Sequence, residues 1–121
     1  MKLKNTISKL NDVKIDNDFI TQLENMYNAV LPDVVKRIAS LSKDMVPYED
    51  FSLLRGLSHA EIIDASADMS VDFISKHLIP FFDVGDNDFI VYDVVEQTWY
   101  KFNIADEVKF SKVQNLSDYF S

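Results

Sequence analysis

The stretch Leu78-Ile-Pro-Phe-Phe-Asp-Val-Gly-Asp-Asn-Asp-Phe-Ile-Val-Tyr-Asp-Val-Val95 decides the fold. Its first limb, Leu78 to Val84, is nearly continuous apolar sequence. Gly85-Asp-Asn87 is built from residues that tolerate left-handed backbone, and Phe89 to Val95 is a second apolar limb. Two such runs about a short Gly/Asp/Asn turn predict a β-hairpin. A further turn at Glu96-Gln97 leads into Thr98-Trp-Tyr-Lys-Phe-Asn-Ile104. There Tyr100, Phe102 and Ile104 alternate with Trp99, Lys101 and Asn103 at the period of a half-buried strand. Val108 to Val113 adds one more short strand. The C-terminal half therefore reads as an antiparallel meander. Asn115 to Phe120 follows as a capped helical turn, with Leu116, Tyr119 and Phe120 folding back.

Upstream the period changes to that of helices. From Asp16 to Leu31, Phe19, Ile20, Leu23, Met26, Tyr27 and Val30 recur at helical spacing behind an Asp/Asn-rich start that can cap the first turn. Pro32 closes that helix and suits the first turn of another, whose inward stripe is Val34, Val35, Ile38 and Leu41. Ser42 to Asp50 is polar and contains Pro47, and Phe51 to Leu54 reads as a short strand bounded by Gly56. Ser58-His-Ala-Glu61 has the spacing of a capping box, opening a short helix with Ile62, Ile63 and Ala67 inward. Helices followed by a run of strands predict an α+β domain whose N-terminal helices cover one face of a mostly antiparallel sheet. At 121 residues the chain fits a single domain over 1–121, with residues 1–15 a flexible or peripheral segment at its start.

Composition narrows function mainly by exclusion. Apolar residues make up 47% and charged residues 26%, an ordinary globular balance that rules out wholesale disorder. Cysteine is absent, which removes thiolate nucleophiles, thiolate metal sites and disulfides, and fits a reducing, cytoplasmic setting. The longest apolar run, Leu78 to Phe82, is far short of the ~20 residues of a spanning helix, and the lysine-bearing N-terminus lacks the apolar core of a signal peptide. No membrane association is expected.

The net charge of −8 is unevenly spread. Residues 44–107 hold 14 acids against Arg55, Lys76 and Lys101, whereas residues 1–14 carry four lysines against Asp12. Such a surface repels phosphate backbones, so no nucleic-acid partner is expected, and it attracts a basic one.

Sites of chemistry are few. His59 and His77 are 18 residues apart without zinc-binding spacing and read as solvated or structural side chains. Asp83, Asp86 and Asp88 surround Gly85, but the order fails the calcium-loop pattern, in which glycine stands sixth and glutamate twelfth; counted from Asp83 those positions are Asp88 and Val94. With only Gly56 and Gly85 in the chain there is no glycine-rich phosphate cradle, and no serine elbow occurs. No catalytic residue, metal or cofactor is assigned. What remains is the acidic meander: Asp86, Asp88, Asp93 and Glu96 lie in or beside two turns, close to Trp99. The strand alternation makes Tyr100 and Tyr92 core residues and leaves Trp99 as an exposed aromatic anchor. Rigid rings with peripheral charge are what protein interfaces enrich, so these five residues form the expected partner-binding surface.

The order of motifs resembles the SUKH superfamily. Leu31-Pro32-Asp33, Leu53 to Ile62, Leu78 to Asp86, Ile90 to Asp93 and Leu116 to Phe120 carry the similarity across roughly residues 18–120. Its most specific part is Ile79-Pro80-Phe81, then Gly85-Asp86, then Asp93. Where the family usually has an Asn-Gly turn after the second helix, this chain reads Ser40-Leu-Ser-Lys-Asp-Met-Val46. That group includes fungal cell-wall assembly and glucan-synthesis regulators and bacterial immunity proteins. The resemblance implies an α+β domain without catalysis that neutralises a cognate toxin, often a nuclease, or alternatively a regulatory scaffold of the cell-wall-regulator kind. A small hydrolase using paired carboxylates is a third reading. By position, Pro80 and Phe81 would set sheet geometry and Gly85 permit the turn, while Asp86 and Asp93 would tie turns or face the partner. The sequence assigns no oligomeric state.

Overall fold

The computed structural model of the protein describes residues 12–41, 55–114 and 116, and there holds five short helices and a five-stranded sheet whose first strand falls between the second and third helices. Helix α1 spans Asn17–Tyr27, and its N-cap is Asp16, whose carboxylate accepts the Phe19 N–H at 3.2 Å. The predicted helix to Leu31 stops four residues early. Asn28 turns left-handed at φ 50°, and the Glu24 carboxylate takes the Leu31 N–H at 2.7 Å, so a side chain replaces the next helical bond. Val30 consequently leaves the apolar stripe and is 85% exposed. Helix α2, Asp33–Leu41, follows Pro32 and buries Val35, Ile38 and Ala39, while Val34 points outward instead of inward. Ser40 Oγ accepts the Asp16 N–H at 2.9 Å and Arg37 donates to the Val13 carbonyl at 2.8 Å, fastening the start of α1 to α2. Ile15 also packs on the core, so the peripheral segment expected over 1–15 is tied down from Val13 onward.

After β1 (Arg55–Gly56), helix α3 (His59–Ile63) opens with the predicted capping box, both bonds present: Glu61 N–H to Ser58 Oγ at 3.2 Å and Ser58 N–H to Glu61 Oε1 at 2.9 Å. Helices α4 (Ala65–Met69) and α5 (Phe73–Lys76) complete the set. Ala65 is buried there, whereas Ala67, expected inward, is exposed. The expected strand over Phe51 to Leu54, the polar stretch before it, and the folding back of Tyr119 and Phe120 lie outside the described residues; Leu116 is buried.

Strands β2 (Leu78–Gly85), β3 (Asp88–Asp93), β4 (Thr98–Asn103) and β5 (Val108–Val113) form the expected meander, with β1 on the far side of β2 and every pairing antiparallel. The fold is α+β, as the change of period implies. Leu78–Phe82 and Phe89–Asp93 are each buried at five consecutive positions. Successive strand residues face opposite ways, so the middle of the sheet is covered on both sides there. Phe73, Phe81, Phe82 and Phe102 are fully buried, each contributing about 2–3 kcal/mol relative to exposure. Burial declines outward: β4 buries only Phe102, and β5 none of its residues. No helix among the described residues is long and apolar enough to cross a membrane.

Candidate functional site

A meander of four strands puts its first and third turns at one end and its second at the other. At the first end, Gly85 pairs with Asp88 across a two-residue turn whose residues Asp86 and Asn87 have φ of 56° and 67°, the signature of a type I′ hairpin. Gly85 itself has φ 93°, so the expectation that it permits the turn is met by conformation. Asp83 Oδ1 accepts the Gly85 N–H at 2.9 Å.

The third turn, between β4 and β5, lies alongside. Asn103 Nδ2 donates to Asp88 Oδ1 at 2.7 Å, Asn103 Oδ1 accepts the Asp106 N–H at 2.9 Å, and the Ile104 N–H reaches the Asn87 carbonyl at 2.9 Å. These bonds fix Asp86, Asp88, Asp106 and Glu107 on two interlocked turns. Glu107 meets Lys76 at 3.4 Å; among the described residues no cation stands within ion-pair distance of Asp86 or Asp106.

The second turn, at the opposite end, is also acidic but closed. The Asp93 side chain is buried. Its Oδ1 accepts the N–H groups of Val95 at 2.9 Å and Glu96 at 2.8 Å, which bends the chain into a turn and ends β3 two residues before the expected Val95. Lys109 donates to Asp93 Oδ2 at 2.9 Å and to Glu96 Oε2 at 2.7 Å, with its ammonium 4.5 Å from the centre of the Tyr100 ring. The Tyr100 hydroxyl donates to Glu96 Oε1 at 2.8 Å. Burial pushes the Asp93 carboxyl up, but the bonds from the Glu96 N–H, Lys109 and the Val95 N–H outweigh it and hold it below the ordinary carboxylate value. Hydrogen bonds to Glu96 and Asp93 raise the Lys109 ammonium well above its ordinary value. The Glu96 hydrogen bond raises the Tyr100 phenol.

The five residues expected to bind a partner are thus split between the two ends. Asp86 and Asp88 stand at one; Asp93, Glu96 and Trp99 stand at the other, separated by the length of β3, about 17 Å at strand rise. Trp99 is half-buried, 5.1 Å from the Tyr92 ring and 5.5 Å from Phe81, which corrects its reading as an exposed anchor. Tyr100, read as core, is half-buried and packs against the core, while its hydroxyl and ring also hold the network of Glu96 and Lys109. Phe102, two residues on and so on the same strand face, is buried against Phe73 at 5.8 Å. Helix α5, four residues long, supplies Phe73, and along that strand face burial falls from complete at Phe102 to partial at Tyr100.

Among the family-like positions, Pro80 and Phe81 are buried beside a register shift in β2, and the Phe81 carbonyl accepts the Leu57 N–H at 2.9 Å, joining β1 to the sheet. His59 stacks on Phe19, ring centres 3.6 Å apart, and His77 is the left-handed cap of α5. Among the described residues no group of three or more candidate ligands is placed to hold a metal ion. Asp106, Glu107 and Lys109 were missed by the sequence reading, although a four-strand meander already implies that the turns at 85–88 and 104–107 share an end. No family model, curated protein or solved structure matches this chain.

Proposed function

We propose that this chain is a non-enzymatic, cytoplasmic immunity-type protein that binds a basic toxin, a nuclease in the first instance, and blocks it with the acidic end of its meander. The observation that carries the reading is the union of two turns into one rigid acidic surface: Asp86, Asp88, Asp106 and Glu107 are held by Asn103 and by the Ile104–Asn87 bond, with Lys76 beside only one of them. Carboxylates on fixed turns can occupy a groove built for phosphates, and the field around them speeds the approach of a basic partner. The motif order that resembles the SUKH superfamily supports the same role. The alternative, a regulatory scaffold of the cell-wall-regulator kind, would rely on apolar contact.

The deciding experiment immobilises the protein, passes lysate from its source cells or a neighbouring strain, and elutes by rising salt. The eluted protein is then assayed for nuclease activity and for its inhibition by one equivalent of this chain. A basic nuclease released by salt and inhibited one-to-one supports immunity. Retention that is indifferent to salt, with no inhibited activity in the eluate, overturns it in favour of the scaffold.

A further inference from the structure

β5 is the outermost strand of the sheet, and among the described residues it pairs with β4 alone. Val108 to Lys112 are all exposed, with Val108 at 48% and Phe110 at 51%. An open edge of this kind is a template for another strand, and native edges are commonly blunted by lysines and bulges. β5 has both features, but one lysine is withdrawn from the edge. The Lys109 ammonium is folded over Tyr100 onto Asp93 and Glu96, so its charge lies on the sheet face. The register shift opposite Lys101 and Phe102 leaves Phe110 as the extra residue, with its ring unpartnered in β4.

The charges along this segment are ordered. Asp106 and Glu107 precede the strand and Lys112 stands next to its last residue, with apolar Val108 and Phe110 between. A sequence with acid at one end and base at the other complements itself when two copies run antiparallel. We propose that β5 pairs with β5 of a second copy of this chain about a two-fold axis at Phe110.

In that register Phe110 faces its symmetry mate, Val108 faces Lys112, and Lys109 faces Ser111. Asp106 and Glu107 of each copy come beside Lys112 of the other, twice over in a closed, isologous contact. Sliding the axis by one residue toward the C-terminus would set Lys109 against Lys112, so the charge order disfavours that register. Six residues a side make a small interface, at the weak and reversible end of the range. The inference shares Asp106 and Glu107 with the toxin-binding reading, but Phe110→Lys alters the strand edge alone and Asp86→Lys alters the acidic end alone, so failure of one reading is distinguishable from failure of the other.

Sedimentation of the full chain over rising micromolar concentrations tests it. The weight-average mass should climb from 14.0 kDa and level off at twice that value. Phe110→Lys should weaken association by about tenfold or more. Glu107→Lys alone and Lys112→Glu alone each oppose like charges across the axis and should weaken it too, whereas an equimolar mixture of the two variants should recover it. Circular dichroism of each variant checks that the fold is kept. A mass fixed at the monomer, a mass rising past the dimer, wild-type association by Phe110→Lys, or no recovery on mixing would each overturn the proposal.

Discussion

The two ends of the meander are built by one device and finished differently. Asp93 and Asn103 each end a strand, and each uses its side-chain oxygen to accept an N–H three residues on, from Glu96 and Asp106 respectively. Each four-residue loop then closes on a left-handed residue, Gln97 at φ 56° and Glu107 at φ 54°. At the Asp93 end a lysine from β5 reaches across Tyr100 and pairs with both acids; at the Asn103 end the pairing side chain is a neutral amide, and among the described residues neither Asp86 nor Asp106 has an ion-pair partner. Counting acids along the chain cannot distinguish these ends. One long cation from two strands away decides which end is left without a counter-charge and which is braced.

The comparison is broken most severely by removing that cation. Lys109→Met leaves the buried Asp93 carboxylate without its counter-charge, while its two backbone bonds remain. Because Lys109 is about one-third exposed, the loss falls below that of a fully buried pair, at about 2 kcal/mol; chemical denaturation at neutral pH measures it. A loss under about 0.5 kcal/mol, the level of an ordinary surface pair, would show that the closed end is no better braced than the open one.

The same network predicts a pH signature. The folded-state pKa of Asp93 is depressed below its ordinary 3.8. Its stabilising contribution is therefore complete above that value and is lost as pH falls from 3.8 through the lower folded value. Asp93→Asn should flatten the acid limb of the stability curve in that window, compared with the wild type. An unchanged acid limb would place the acid-sensitive group elsewhere. The open end should respond less to loss of its brace: Asn103→Ala removes the bonds to Asp88 and Asp106, and its expected cost is about 1 kcal/mol, readable in the same denaturation experiment.

Much of the fold is legible in local sequence because local chemistry decides it. Asp16 and Ser58 cap helices where their side chains are expected to, and the Gly85-Asp-Asn87 turn forms because three adjacent residues accept positive φ. The misreadings share a cause: each depends on a partner distant in sequence or on a competing side chain. Glu24 ends α1 early by taking the Leu31 N–H, and Asp93 ends β3 early by taking two of its own. The alternation of β4 predicts one inward face, yet Trp99 is packed by Phe81 and Tyr92 on one side while Phe73 of α5 packs on Phe102 on the other. The grouping of the acids is likewise a property of topology: Asp86 and Asp106 are 20 positions apart in sequence and share an end only because two strands lie between them.

The smallest effect on stability belongs to the substitution with the largest expected effect on binding. Asp86 is exposed at a hairpin tip and Asp106 on the neighbouring loop, neither with an ion-pair partner among the described residues. Changing Asp86 to asparagine, which keeps the tolerance for positive φ, and Asp106 to lysine therefore removes no described side-chain bond, and the shift in stability should stay within about 0.5 kcal/mol. Asp106 takes part in that brace by donating its backbone N–H to Asn103 Oδ1, so lysine leaves the loop brace in place. If the acidic end steers a basic partner, the double variant should slow association strongly, and its rate should lose most of its dependence on ionic strength. Glu96→Lys serves as the contrast: it costs stability by opposing Lys109, yet leaves the steering field at the other end nearly intact. Equal slowing by both variants would mean that the partner senses only the total charge of the chain, and the distinction between the two ends would then have no bearing on binding.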